Sequence, residues 1–175
     1  MRNYSKHIIG TLLLLIAVTS ASFGASTEEA DDCSIPELKA FDFLLGEWEI
    51  EDGSGTMSIT KILDGCGIRE TWKLDGFNAV LVRTYDSRTK KWFLSFAAHD
   101  LVPQVWDGRL EAGTWIFYRD WELDGKKRRS RTFWKPTQSG GFEKIVEQLN
   151  DDGKSWRLHA RSVFKRLKKK SKSKH

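Results

Sequence analysis

The 175-residue chain predicts an all-β fold, a single up-and-down antiparallel barrel of about ten strands behind a short N-terminal helix. Three observations carry this. Asp-Gly occurs six times between residues 52 and 153, at 52-53, 64-65, 75-76, 107-108, 124-125 and 152-153. Aspartate tolerates the left-handed region and glycine enters it freely, so the dipeptide suits tight hairpin turns. The segments between are short and rich in Val, Ile, Thr, Trp, Phe and Tyr, and a meander that long removes its unpaired edges by closing on itself. Eight tryptophans between Trp48 and Trp156 supply the bulk to fill a small barrel.

Taken in order, residues 1–24 read as a secretory signal peptide. Arg2 and Lys6 precede an apolar run from Ile8 to Val18, with Ser22 and Gly24 as the small residues before the cut. The run is shorter than the ~20 residues a membrane-spanning helix needs. Residues 25–40 form a lead-in. Within it, Ser34-Ile35-Pro36-Glu37 reads as a helix start, Ser34 capping and Glu37 reaching back, with the helix running to Phe41. The barrel domain spans 41–166. Its strand candidates lie near 45–51, 56–63, 67–74, 78–86, 91–98, 104–110, 114–121, 128–135, 141–149 and 156–165. Gly65-Cys66-Gly67 suggests a bulge or sharp bend between the second and third. In the last strand, alternation puts Trp156, Leu158, Ala160 and Phe164 on one face.

Residues 25–164 carry a net charge of −4, whereas residues 165–175 hold seven basic residues and no acid. The high pI therefore comes largely from the terminus, with 167–175 as a basic tail. A solvated tail is the bland reading; weak contact with an anionic envelope surface is the functional one. Export argues against nucleic acid as a partner. Two cysteines remain in the mature chain, Cys33 and Cys66. In an oxidising compartment they can form a disulfide pinning the lead-in to the barrel wall, or stay a free pair with Cys66 buried.

Phe41-Asp42-Phe43-Leu44-Leu45-Gly46-Glu47-Trp48 resembles the F-D-F-x-x-G-x-W opening of a mainly bacterial domain-of-unknown-function family of calycin-like barrels. Further stretches resemble the same family in the same order: Gly65 to Glu70, Arg83-Thr84-Tyr85-Asp86 running to Trp92, Glu147-Gln148 leading to Trp156, and Phe164-Lys165-Arg166. The resemblance covers about residues 41–166 and implies a lipocalin-like or fatty-acid-binding-protein-like barrel with no established activity. His159 and Ala160 stand where the family pattern has asparagine and tryptophan.

Catalytic and metal motifs are sparse. The mature chain has His99, His159 and His175, with no H-E-x-x-H, paired C-x-x-C, EF-hand loop or G-x-S-x-G elbow. No cofactor is expected. Haem fits poorly, because Gly46-Glu47-Trp48-Glu49-Ile50-Glu51 lacks the later glycines of nitrobindin-like barrels, although His159 falls in the region of their axial ligand. The remaining chemistry lies in strand residues Glu70, Arg83, Arg109, Arg119, Asp120, Arg131, Glu147 and His159. An arginine facing the lumen can grip a carboxylate through paired hydrogen bonds. The ligand-binding candidates are Arg83 and Arg109, with Tyr85 beside them, Glu147 balancing charge, and His159; an outer face or an internal salt bridge is the competing role for each.

The leading expectation is an exported protein, periplasmic or secreted, that holds a small, partly apolar molecule in its lumen, an acid among the candidates. The alternatives are an isomerase- or hydrolase-type barrel enzyme using Glu147 with His159, and a solid barrel acting on the envelope through its tail.

Overall fold

The structure is a computed structural model and describes residues 33–99 and 101–168. The expected signal peptide, residues 25–32 of the lead-in and residues 169–175 of the tail lie outside the described residues.

Ten antiparallel strands close into one barrel. They are β1 (Gly46–Ile50), β2 (Gly55–Ile62), β3 (Gly67–Leu74), β4 (Phe77–Asp86), β5 (Lys91–Ala98), β6 (Gln104–Glu111), β7 (Thr114–Leu123), β8 (Lys126–Pro136), β9 (Phe142–Leu149) and β10 (Trp156–Arg166). Each strand pairs with its sequence neighbours, and β1 pairs with β10, so no edge is left open. This is the up-and-down barrel that the turns and alternation predicted.

The turn chemistry explains most connections. Asp124 and Gly125 both take positive φ, 51° and 70°, the geometry of a two-residue hairpin turn that follows the strand twist. Two of the six Asp-Gly pairs do other work. Asp64-Gly65 belongs to a short 3₁₀ segment, Leu63–Gly65, between β2 and β3. Asp107-Gly108 lies inside β6, where Gly108 faces the lumen. A Cβ there would stand 2.9 Å from the Trp92 carbonyl oxygen and 3.0 Å from the Phe117 ring, so the missing side chain lets two large rings approach.

The expected N-terminal helix is two 3₁₀ turns, Pro36–Lys39 and Asp42–Leu44, with Ile35 at the N-cap position of the first. Pro36 opens the first turn with a φ already fixed near the helical value. Leu38, Phe41 and Leu44 recur every third residue, the spacing that eclipses side chains on a 3₁₀ turn. All three are buried and close one end of the barrel against Trp48, Trp92, Phe117 and Phe142. Phe41 meets Trp92 edge-on at 5.1 Å, and Trp48 donates Nε1–H to the Leu44 carbonyl at 2.6 Å. Cys33 and Cys66 form a disulfide, tying this plug to the wall.

One register detail corrects the sequence reading of the last strand. The β9–β10 pairing slips between Leu158 and Ala160, with His159 as the extra residue. A bulge inverts the faces on either side of it. Ala160, Ser162 and Phe164 face inward, whereas Trp156 and Leu158 face outward, Leu158 with 60% of its surface exposed.

Candidate functional site

The lumen has two halves. The plugged half is packed solid with aromatic side chains. The other half holds a cavity of about 250 Å³ lined by Leu81, Leu94, Phe96, Trp106, Trp134 and Lys144 among others, with Leu101 of the β5–β6 connection beside its mouth. A larger groove of about 740 Å³ lies on the outer rim by Asp120, Arg129 and Asp151, but four of its six charged residues pair with one another. Arg129 pairs with Asp120 and Arg128 with Asp151, each at 3.3 Å. The lumen cavity is therefore the candidate site.

One charged side chain, Lys144, lines it, and two more, Glu70 and Arg83, are buried in the same lumen. Glu70 on β3 and Arg83 on β4 are both fully buried and ion-paired through Glu70 Oε1 and Arg83 Nη1. Glu70 Oε2 accepts Trp72 Nε1–H at 3.0 Å, so both carboxylate oxygens are engaged. The Arg83 guanidinium lies 4.1 Å from the Trp134 ring centre and 5.2 Å from that of Phe41. Among the described residues its Nε and Nη2 have no hydrogen-bond partner, and neither has Trp134 Nε1 or Trp92 Nε1. Apart from the ion-paired atoms, every unpartnered buried polar atom of the lumen among the described residues is thus a donor.

The third charge is Lys144. On β9 it faces Trp134 of β8 and Ser162 of β10 across the ladders, and it reaches the cavity wall. Its Nζ is 4.6 Å from the Trp72 ring centre and 5.8 Å from that of Trp134. Among the described residues no carboxylate pairs with it. Burial pushes its basicity below the ordinary lysine value; the Glu70 charge pulls it back, and the Arg83 charge adds to the depression. Arg119 on β7 shares the inward face nearer the mouth, over Trp121 at 5.0 Å and Trp106 at 5.9 Å, with its basicity also lowered by burial. Glu70 is the one acidic strand residue on the inward face among the described residues, so the lumen carries more cations than anions.

The sequence-predicted residues divide between the faces. Arg83 and Tyr85 share the inward face of β4, as expected. Arg83 is taken up by Glu70, the internal salt bridge weighed against ligand contact. Tyr85 belongs to the plugged half, 5.5 Å from Trp92 and 6.3 Å from Trp115. Burial is the main cause raising its phenol above the ordinary value. Arg109 faces outward, paired with Asp107 at 3.3 Å and lying over Tyr118, so Arg83 and Arg109 form no joint clamp. Glu147 also faces outward, held by Arg131 Nε at 2.5 Å beside Trp156. His159 is exposed at the bulge. The outward turn of Glu147 and the bulge position of His159 keep the proposed acid–base pair out of the lumen.

Lys144 was not among the expected residues. Its strand alternates ambiguously, Phe142, Lys144, Val146 and Gln148 against Glu143, Ile145, Glu147 and Leu149. The usable signal was charge pairing. Glu143 and Glu147 fall opposite Lys135 and Arg131, which sets the odd positions on the solvent face and turns Lys144 inward. Neither a family model nor a curated protein sequence matches the chain.

Proposed function

We propose that this chain is an exported binding protein for a small, partly apolar acid held in the open half of the barrel, its carboxylate against Lys144. The carrying observation is an ammonium in a largely apolar cavity with no anionic partner among the described residues. An uncompensated buried charge is costly, and a ligand carboxylate removes that cost. The unpaired Trp134 Nε1–H and the inward Arg119 add to the same preference for an acceptor-rich head group. At about 250 Å³ the cavity equals roughly eight water volumes, room for a molecule of similar heavy-atom count rather than a long-chain lipid. Export is supported by the layout of residues 1–24 and by the Cys33–Cys66 bridge, which persists in oxidising compartments.

The test is calorimetric titration of the chain from residue 25 with octanoate and with octanol. Octanoate should bind at least about tenfold tighter, the equivalent of ~1.4 kcal/mol, and Lys144→Met should erase that preference. Equal affinities for acid and alcohol, or an unchanged preference in Lys144→Met, would refute the assignment.

A further inference from the structure

We propose that Lys144 is also a covalent capture site for small apolar aldehydes, its ε-amine condensing with a carbonyl that enters the lumen cavity. The inference rests on reading that cavity as a binding site and adds a reaction that an acid cannot undergo.

Imine formation needs an uncharged amine, a free approach to its lone pair and a place for the rest of the aldehyde. The amine borders a cavity rather than a packed wall. No salt bridge to a described residue has to break before it reacts. The nearest lumen acid, Glu70, is held by Arg83 and Trp72. The other charged groups facing this space are cations, Arg83 from β4 and Arg119 from β7, and neither stabilises a second positive charge. Leu81, Leu94, Phe96 and Val146 supply an apolar wall for the aldehyde's chain and limit the water that would hydrolyse the product.

The chemistry balances within the pair. The amine lone pair forms the C–N bond as the carbonyl π pair moves to oxygen. Both amine protons end on that oxygen, which leaves as water, and the C=N bond remains. Nothing is oxidised or reduced. Selectivity follows from the protonation state. At pH 7 an ordinary lysine has about one amine in 2,500 uncharged. Burial lowers Lys144 from that value, so a larger fraction of it is nucleophilic. The competing uncharged amine is the mature N-terminus, whose ordinary pKa is about 7.7–8.0.

The experiment incubates the chain from residue 25 with octanal and cyanoborohydride at pH 7 and maps the octylated peptides by mass spectrometry, with octanoate calorimetry in parallel. The expected result is one dominant octylated lysine, Lys144, modified about tenfold faster than any other lysine peptide, and protected by excess octanoate. Lys144→Met, with its fold checked by near-ultraviolet circular dichroism, should leave the N-terminus as the main site. Octanoate binding without preferential Lys144 labelling overturns the covalent inference alone. Labelling at Lys144 without octanoate binding overturns the acid assignment alone. Neither binding nor preferential labelling overturns both.

Discussion

Replacing Lys144 by Met should make the barrel more stable, and the gain should depend on pH in a defined direction. Met keeps the length of the side chain and removes the charge. Lys144 is half-buried, so its ammonium bears only part of the several kcal/mol that full burial of an unpaired charge costs. Two ring contacts, at 4.6 Å and 5.8 Å, return about 1 kcal/mol each. The nearby Glu70 charge returns some of the remainder and the Arg83 charge opposes it. The balance favours Met by about 1 kcal/mol at pH 7. The native basicity of Lys144 is below its unfolded value of about 10.4. Between those two values the unfolded chain therefore binds more protons than the folded one, and stability of the parent protein rises with pH by up to ~1.4 kcal/mol per unit. Met has no such dependence. Its advantage is full below the folded-state value of Lys144 and fades as pH rises towards about 10.4. Urea unfolding of both proteins at several pH values between 6 and 10 measures this, and titrations common to both cancel in the difference. A destabilised Met variant at pH 7, or a difference flat with pH, would show that the ammonium is not desolvated and would remove the basis of the site.

Two further predictions concern the frame around the site. Arg83→Met should cost about 3–5 kcal/mol by stranding the buried Glu70 carboxylate, and the Arg83→Met/Glu70→Met double variant should recover at least ~2 kcal/mol of that; additive losses in urea unfolding would mean the two charges are not coupled. Gly108→Ala should lower the urea midpoint by the equivalent of about 1–3 kcal/mol, because the new methyl meets the Trp92 carbonyl, which the β5–β6 ladder fixes. An unchanged midpoint would contradict the close approach of Trp92 and Phe117.

The barrel was legible because its signals are local. A turn dipeptide, a run of β-branched and aromatic residues and a period of two are all readable within a few positions. Asp107-Gly108 misled for a non-local reason, since the glycine there answers to rings on two other strands. The bulge at His159 was hidden for a related reason. One extra residue is invisible until the partner strand is known, and it reverses the face of Trp156 and Leu158. Alternation put Arg83 and Tyr85 on one face of their strand, but which face turns inward was not legible from it. That Glu70 would occupy Arg83 required the register that sets Ile68 opposite Arg83 and Glu70 opposite Leu81.

Two of the lumen cations, Arg83 and Lys144, differ in a way that assigns them different work. Arg83 has a carboxylate bound within the fold and lies against Trp134, where it ties β4 to β3. Lys144 has rings but, among the described residues, no anion, and it borders open space. A core selected for packing would replace such a lysine with Met or Leu at a gain in stability. Under the proposed function its position also sets the direction of binding. The plug closes the barrel at Leu38, Phe41 and Leu44, so the proposed ligand would enter past Leu101 and meet Lys144 with its leading end. Its polar head would go in first, leaving the apolar chain against Leu81, Leu94 and Phe96 with its far end towards the mouth. An acid with a second charged group at that far end keeps it solvated, whereas one with a charge midway along the chain would bury it against leucines and bind weakly.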